Sequence, residues 1–240
     1  MAHKISFPAI DGAPASGEIA LPAQEDRAPA VVLIHEWWGI SDHLRSLLDR
    51  LAGAGFVALA PDLYHGKTTR DPAEASQLMN AMDWERALLE ISGAVYFLVD
   101  HPRVNGHVGA VGFCMGGALC FSAAATIPRL EAAVPFYGIP SKATDYSKVK
   151  APILAHFAAR DTWAKPALAE ALQRELAARG QPMELHVYDA DHAFMNDTRP
   201  EVHHPEAARL AWDRTTAFLR EHLGAGARPN APAHVPANAI

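Results

Sequence analysis

Cys114 stands in the run Gly112-Phe113-Cys114-Met115-Gly116-Gly117, between the apolar Val108-Gly109-Ala110-Val111 and the small-residue stretch Ala118 to Ala125. This reads as a strand, a sharp turn and a helix. A thiol at such a turn is aimed at by the free N–H groups and positive dipole end of the helix that follows, which favours the thiolate, the nucleophilic form. Glycines two residues before and after it let backbone approach backbone where a Cβ would clash. Two further residues lie just past apolar runs of strand length. Asp161 follows Pro152–Phe157, and His192 follows Met183–Tyr188. A thiol, an imidazole that moves a proton and a carboxylate that orients the imidazole make a nucleophilic acyl-transfer set. Glu36, just beyond Ala30–His35, adds a second carboxylate that could accept the S–H proton, hold the thiol neutral until substrate arrives, or simply be a solvated loop residue. Each residue alone has an ordinary alternative. Cysteine is a common core filler, Asp161 could cap the helix near Lys165, and His192 is one of thirteen histidines. The joint pattern is what points to chemistry. Asp189 and Asp191 flank His192, but Asp161 has its own strand end and is preferred as the orienting acid.

These residues need a scaffold that gathers distant strand ends. Candidate strands are Ala30–His35, Phe56–Ala60, Val108–Phe113, Ala132–Tyr137, Pro152–Phe157 and Met183–Tyr188. They are almost continuously apolar, as suits parallel strands buried on both faces. Between them, Asp42–Ala54, Ala73–Val99, Met115–Thr126, Lys165–Arg179 and Pro205–His222 carry apolar residues at three- and four-residue steps, the helical period. Alternating strand and helix predicts a doubly wound, mostly parallel sheet. Its ligands bind beyond the carboxyl ends of the strands, where Cys114, Asp161 and His192 fall. Lys4–Ile10 and Ser16–Leu21 flank the turn signal Asp11-Gly12 and predict an N-terminal antiparallel hairpin on the sheet edge. Residues 1–223 are expected to form one α/β domain and 224–240, rich in Gly, Ala and Pro, a flexible tail.

Composition sets limits. The chain has 240 residues, half of them hydrophobic, and a net charge of −6 without a basic patch, which argues against nucleic acid as a partner. The apolar runs are strand-sized and no secretory signal is evident, so no membrane association and a cytoplasmic location are expected. The only cysteines, Cys114 and Cys120, would lie about 9 Å apart on one helix. That is beyond disulfide reach.

The elbow is the Gly-x-nucleophile-x-Gly turn of α/β-hydrolases with cysteine in place of serine, and the order nucleophile, acid, histidine matches that fold. In such enzymes the loop after the first long strand supplies half the oxyanion hole. Here that is His35-Glu36-Trp37-Trp38-Gly39, so the backbone N–H groups of Trp37 and Met115 are the candidates. With Ala60-Pro61-Asp62-Leu63-Tyr64, Ala159-Arg160-Asp161 and His192-Ala193-Phe194, the chain resembles the dienelactone hydrolases (carboxymethylenebutenolidases) over residues 5–223. The resemblance implies the α/β-hydrolase fold and a triad of Cys114, Asp161 and His192. Glu36 would partner the resting thiol, and a small ester or lactone would be cleaved through a thioester without metal or organic cofactor. Trp38, Tyr64, Tyr137, Phe194 and Asn196 are candidate substrate-binding residues, and a monomer or weak homo-oligomer is expected. One departure stands out. Family members that open the dienelactone hold its carboxylate with arginines, one of them four residues past the catalytic histidine. Here that position is Asn196, and Ala75–Asn80 carries no arginine. A guanidinium is the group an anionic substrate wants, so an ester or lactone other than the anionic dienelactone is expected. The rival reading is a redox or regulatory thiol protein on the same scaffold.

Overall fold

The computed structural model describes residues 1–141, 144–181 and 183–224. An eight-stranded sheet runs through it in the order β1-β2-β4-β3-β5-β6-β7-β8. The strands are β1 (His3–Pro8), β2 (Pro14–Ala20), β3 (Ala28–Ile34), β4 (Val57–Pro61), β5 (Val104–Phe113), β6 (Ala132–Phe136), β7 (Ile153–Ala158) and β8 (Met183–Tyr188). β1 and β2 form the expected antiparallel hairpin at one edge, and β2 joins the parallel strands by pairing antiparallel with β4. From β4 to β8 every pairing is parallel.

Side-chain alternation explains the two layers of helices. On β3, Ala30, Val32 and Ile34 enter the core formed with α3 (Trp84–Asp100), α4 (Met115–Thr126) and α5 (Pro166–Ala178). Val31 and Leu33 point the other way, into the core made with α1 (Asp42–Gly53) and α6 (Pro205–Leu223). A strand with apolar residues at every position can be buried on both faces only between two such layers.

One expectation needs correction. The segment 73–99 is not a single helix but two, α2 (Pro72–Ala81) and α3. Met82 is extended, and the Asp83 carboxylate accepts hydrogen bonds from the N–H groups of Glu85 and Arg86, starting a new helix. The apolar period runs across the break because Leu78 and Met79 of α2 and Trp84 and Leu88 of α3 pack against the same core; the Asp83 cap starts the second helix. Strand ends shift by a few residues, β5 by four at its start. The expected tail, apart from Gly224, lies outside the described residues. Among the described residues no helix is long and apolar enough to cross a membrane.

Candidate active site

Parallel pairing brings strand carboxyl ends side by side: Ile34 of β3 is level with Gly112 of β5, Phe113 of β5 with Phe136 of β6, and Ala158 of β7 with Tyr188 of β8. The loops carrying Glu36, Cys114, Tyr137, Asp161 and His192 therefore leave the same rim.

Cys114 sits between β5 and α4 with φ 55° and ψ −115°. This conformation is uncommon for a residue with a side chain and costs on the order of 1–3 kcal/mol. The surroundings impose it. The Cys114 N–H donates to the Phe136 carbonyl at 3.0 Å. A Cβ at Gly112 would lie 2.0 Å from the Gly116 carbonyl oxygen, and one at Gly116 would lie 2.3 Å from that of Ile34. Only glycine fits either place. The turn leaves Cys114 partly exposed at the N-terminus of α4, whereas Cys120, one and a half turns on, is fully buried. Burial pushes the Cys120 thiol up to about 12, so it stays a neutral apolar filler.

Nδ1–H of His192 donates to Asp161 Oδ2 at 2.6 Å. The other carboxylate oxygen of Asp161 accepts from the backbone N–H groups of Trp163 at 2.8 Å and Ala164 at 2.9 Å. Asp161 thus organises the turn leading to α5 and orients the imidazole with the same carboxylate. Burial disfavours its charge, yet the hydrogen bond and charge of His192 and the two N–H groups outweigh that and hold its pKa below the ordinary value. Burial also disfavours a charged His192. Hydrogen bonding to Asp161, the interactions with Cys114 and the charge of Asp161 outweigh that and raise its pKa to about 10. That shift favours the imidazolium form of the ring facing the sulfur. The competing acids are engaged elsewhere: Arg160 ion-pairs with Asp189 and, at 3.1 Å, with Asp191.

Glu36 is 4% exposed. Its Oε2 accepts from Asn196 Nδ2 at 2.9 Å and its Oε1 from the Tyr137 hydroxyl at 3.4 Å. Asn196 is fixed in this orientation because its Oδ1 accepts from the Thr198 hydroxyl at 2.7 Å and the Thr198 N–H at 3.2 Å. His35 is buried and neutral, its pKa lowered by that burial. Its Nδ1–H donates to the Glu36 carbonyl at 2.6 Å, bracing the loop. The backbone N–H groups of Trp37 and Met115 have no protein acceptor among the described residues.

A cleft of about 200 Å³ is lined by Glu36, Trp37, Trp38, Cys114, Trp163 and His192, with Ala193, Arg199 and Val202 completing the wall. The structure therefore places Cys114, His192 and Glu36 on one cleft, with Asp161 behind the histidine. Of the candidate substrate-binding residues, Trp38 lines it. Tyr64, Tyr137 and Phe194 do not: they are buried. Tyr64 donates to the Met115 sulfur at 3.4 Å. Tyr137 packs its ring 5.1 Å from that of His192 and 5.4 Å from that of Phe194, supporting the imidazole from behind. Asn196 faces a neighbouring cavity instead. Sequence reasoning missed Trp163, which stands with its ring edge against Trp37 at 5.5 Å. Its place two residues after Asp161 was the available signal. Val202 carried none.

The model of the dienelactone hydrolase family matches residues 16–223. The chain belongs to the dienelactone hydrolase family. It is 31% identical over 227 residues to the carboxymethylenebutenolidase of Pseudomonas putida, covering 90% of this chain and 94% of that protein. It is 36% identical over 225 residues to Protein usf of Aquifex pyrophilus, covering 89% and 96%. The fold is also that of a dienelactone hydrolase-like promiscuous phosphotriesterase from metagenomic libraries, with a TM-score of 0.82, 26% identity, and 93% and 99% coverage. The member described here is a carboxylic ester hydrolase of the dienelactone hydrolase type.

Proposed function

We propose that the chain hydrolyses an ester or lactone through a thioester on Cys114, with His192 and Asp161 as its proton-transfer pair. The observation that carries this is the 2.6 Å His192–Asp161 hydrogen bond directly behind a cleft shared by Cys114 and Glu36. Glu36 takes the proton from the thiol. The sulfur attacks the carbonyl carbon, and the carbonyl oxygen, now negative, is received by the Trp37 and Met115 N–H groups. As the C–O bond breaks, the imidazolium of His192 gives its proton to the leaving oxygen. The resulting neutral imidazole then takes a proton from water, whose oxygen attacks the thioester and releases the acid. Ester and water become acid and alcohol; the sulfur leaves as thiolate and takes its proton back from Glu36, which restores the starting thiol and carboxylate.

Asn196 in place of a cation beside Glu36 favours a substrate without the free carboxylate of the dienelactone. The redox reading lacks support, since Cys120 is buried and its thiol is held neutral. Intact-mass analysis after rapid quenching with an ester tests the proposal. An acyl adduct on the wild type that is absent from Cys114→Ala is expected. Ester turnover persisting at the wild-type rate in Cys114→Ala would end it.

A further inference from the structure

Indole rings line the cleft that holds Cys114 and His192. Trp37 meets Trp38 and Trp163 edge to face, with ring centres 5.0 Å and 5.5 Å away, and the Trp163 ring centre lies 6.2 Å from that of His192. Trp163 is 64% exposed; among the described residues Met1 is the only more exposed large apolar one. We propose that Trp163, with Trp37, is a specificity-determining wall that takes one aromatic ring on the leaving alcohol of an uncharged ester. This rests on the hydrolase reading and specifies its substrate class.

Position decides which part of the ester meets the rings. In the proposed reaction the Trp37 and Met115 N–H groups receive the carbonyl oxygen and His192 protonates the leaving oxygen. The leaving alcohol therefore lies on the histidine side, where Trp163 stands. Asp161 ties the two together: one carboxylate oxygen accepts from His192 Nδ1 and the other from the Trp163 backbone N–H. The indole is held in register with the proton donor. Size decides how much fits. The cleft is about 200 Å³. An apolar cavity of about 150 Å³ takes benzene, so one ring and the ester group fill it. Chemistry decides the kind. Aromatic pairs that meet edge to face or offset gain more than the area they bury, and an indole left open to solvent has that gain still to make. Ala193 and Val202 close the wall without polar side chains. A cationic group would also be drawn to an indole face. Arg199, however, already lies 5.6 Å over the Trp38 ring, and with His192 it puts positive charge on the cleft. An anionic group would meet the Glu36 carboxylate and an Arg199 already paired with Glu201 at 2.8 Å. An uncharged aryl group meets neither obstacle.

The test compares kcat/KM for benzyl acetate and cyclohexylmethyl acetate, which share the acyl group and differ in whether the six-membered ring is aromatic. The wild type is expected to favour benzyl acetate about tenfold. Trp163→Ala should cut that preference to about twofold or less, and Trp163→Phe, which keeps a ring, should retain about half of it or more. The backbone N–H that Asp161 accepts from is present in both variants, and turnover of ethyl acetate, which carries no ring, reads any damage to the reaction itself. Equal use of the two ring esters by the wild type would overturn the proposal. So would a preference unmoved in Trp163→Ala with a native circular dichroism spectrum. Should neither ester be turned over, the Kd values of N-benzylacetamide and N-(cyclohexylmethyl)acetamide, read by NMR titration, decide. A benzyl amide that binds better and loses its lead in Trp163→Ala would leave the ring site standing while the hydrolase reading fails. Two amides bound alike would remove the ring site as well.

Discussion

At the scale of single residues the proposed chemistry depends on one sulfur, and serine is not a substitute for it. A hydroxyl is far less acidic than a thiol, so a neighbouring carboxylate such as Glu36 cannot deprotonate it. Cys114→Ala is expected to lower kcat/KM on esters by about a thousandfold or more, and Cys114→Ser to retain less than about one hundredth of it. Steady-state assays on folded protein check both. The imidazole gives a second reading of the same contact. His192 is raised to about 10 partly by Cys114, so in Cys114→Ala its NMR titration should move to lower pH. An unmoved midpoint would mean that sulfur and imidazole do not interact. Stability follows the same group. Because its pKa is higher in the folded chain than in the unfolded one, protonation of His192 stabilises the fold fully below about pH 6.5, the unfolded value. That contribution fades as pH rises and is gone above about 10. Asp161 runs the opposite way: its lowered pKa stabilises the fold above about pH 4, its unfolded value, and the effect is lost as acid protonates it. The Tm difference between wild type and His192→Gln should therefore be largest between about pH 4 and 6.5 and shrink towards pH 10. A difference constant across that range would contradict the ion-pair account.

At the scale of elements, the turn that presents Cys114 is built from clashes that glycine avoids. Replacing Gly116 by alanine would drive a Cβ to 2.3 Å from the Ile34 carbonyl oxygen and 2.6 Å from that of His35. Those atoms belong to the strand and loop that carry Glu36 and Trp37. Gly116→Ala is expected to lower Tm and also to lower kcat more than a surface substitution of equal thermal cost, since it pushes two halves of the site apart. Assays well below each variant's Tm separate the two effects. Such an element was legible in the sequence because its residue types have no freedom: a nucleophile between spaced glycines, after an apolar strand. Asp161 and His192 were legible as candidates for a related reason, each falling within a few residues of the end of a strand-length segment, in the loop that follows it. The break between α2 and α3 was not, because helical periodicity reports which residues turn inward and apolar residues of both helices pack against one core. Only the Asp83 cap marks the division, and an aspartate inside a periodic stretch looks like any solvated residue. Tyr64, Tyr137 and Phe194 show the same limit from the other side. Their closeness to the site in sequence was plain, but whether an aromatic ring lines a cleft or supports it from behind depends on its direction, which spacing does not encode. Arg199 was visible as a cation, while its pairing with Glu201 depends on how the loop after β8 folds back.

For the molecule as a whole, the sheet does two jobs that the sequence pattern does not separate. Its rim gathers the site, and its body divides the interior into two cores. Leu47 of α1 is fully buried in one core, and Leu176 of α5 is fully buried in the other, with the parallel strands between them. Truncating either leaves a cavity that its own layer of helices must absorb, and Leu47→Ala and Leu176→Ala should each cost about 2–5 kcal/mol. Residues that share no partners add independently, so the double variant should lose the sum of the two within about 0.5 kcal/mol. Urea unfolding of the four proteins measures this, provided the slopes of the transitions agree. Neither leucine lines the cleft, so kcat/KM below the transition should stay at the wild-type value in all three variants. A double variant markedly more stable than the sum would show that the two layers share their packing through the strands. In that case the sheet would transmit strain from one face to the other, and to the strained turn at Cys114 that it carries.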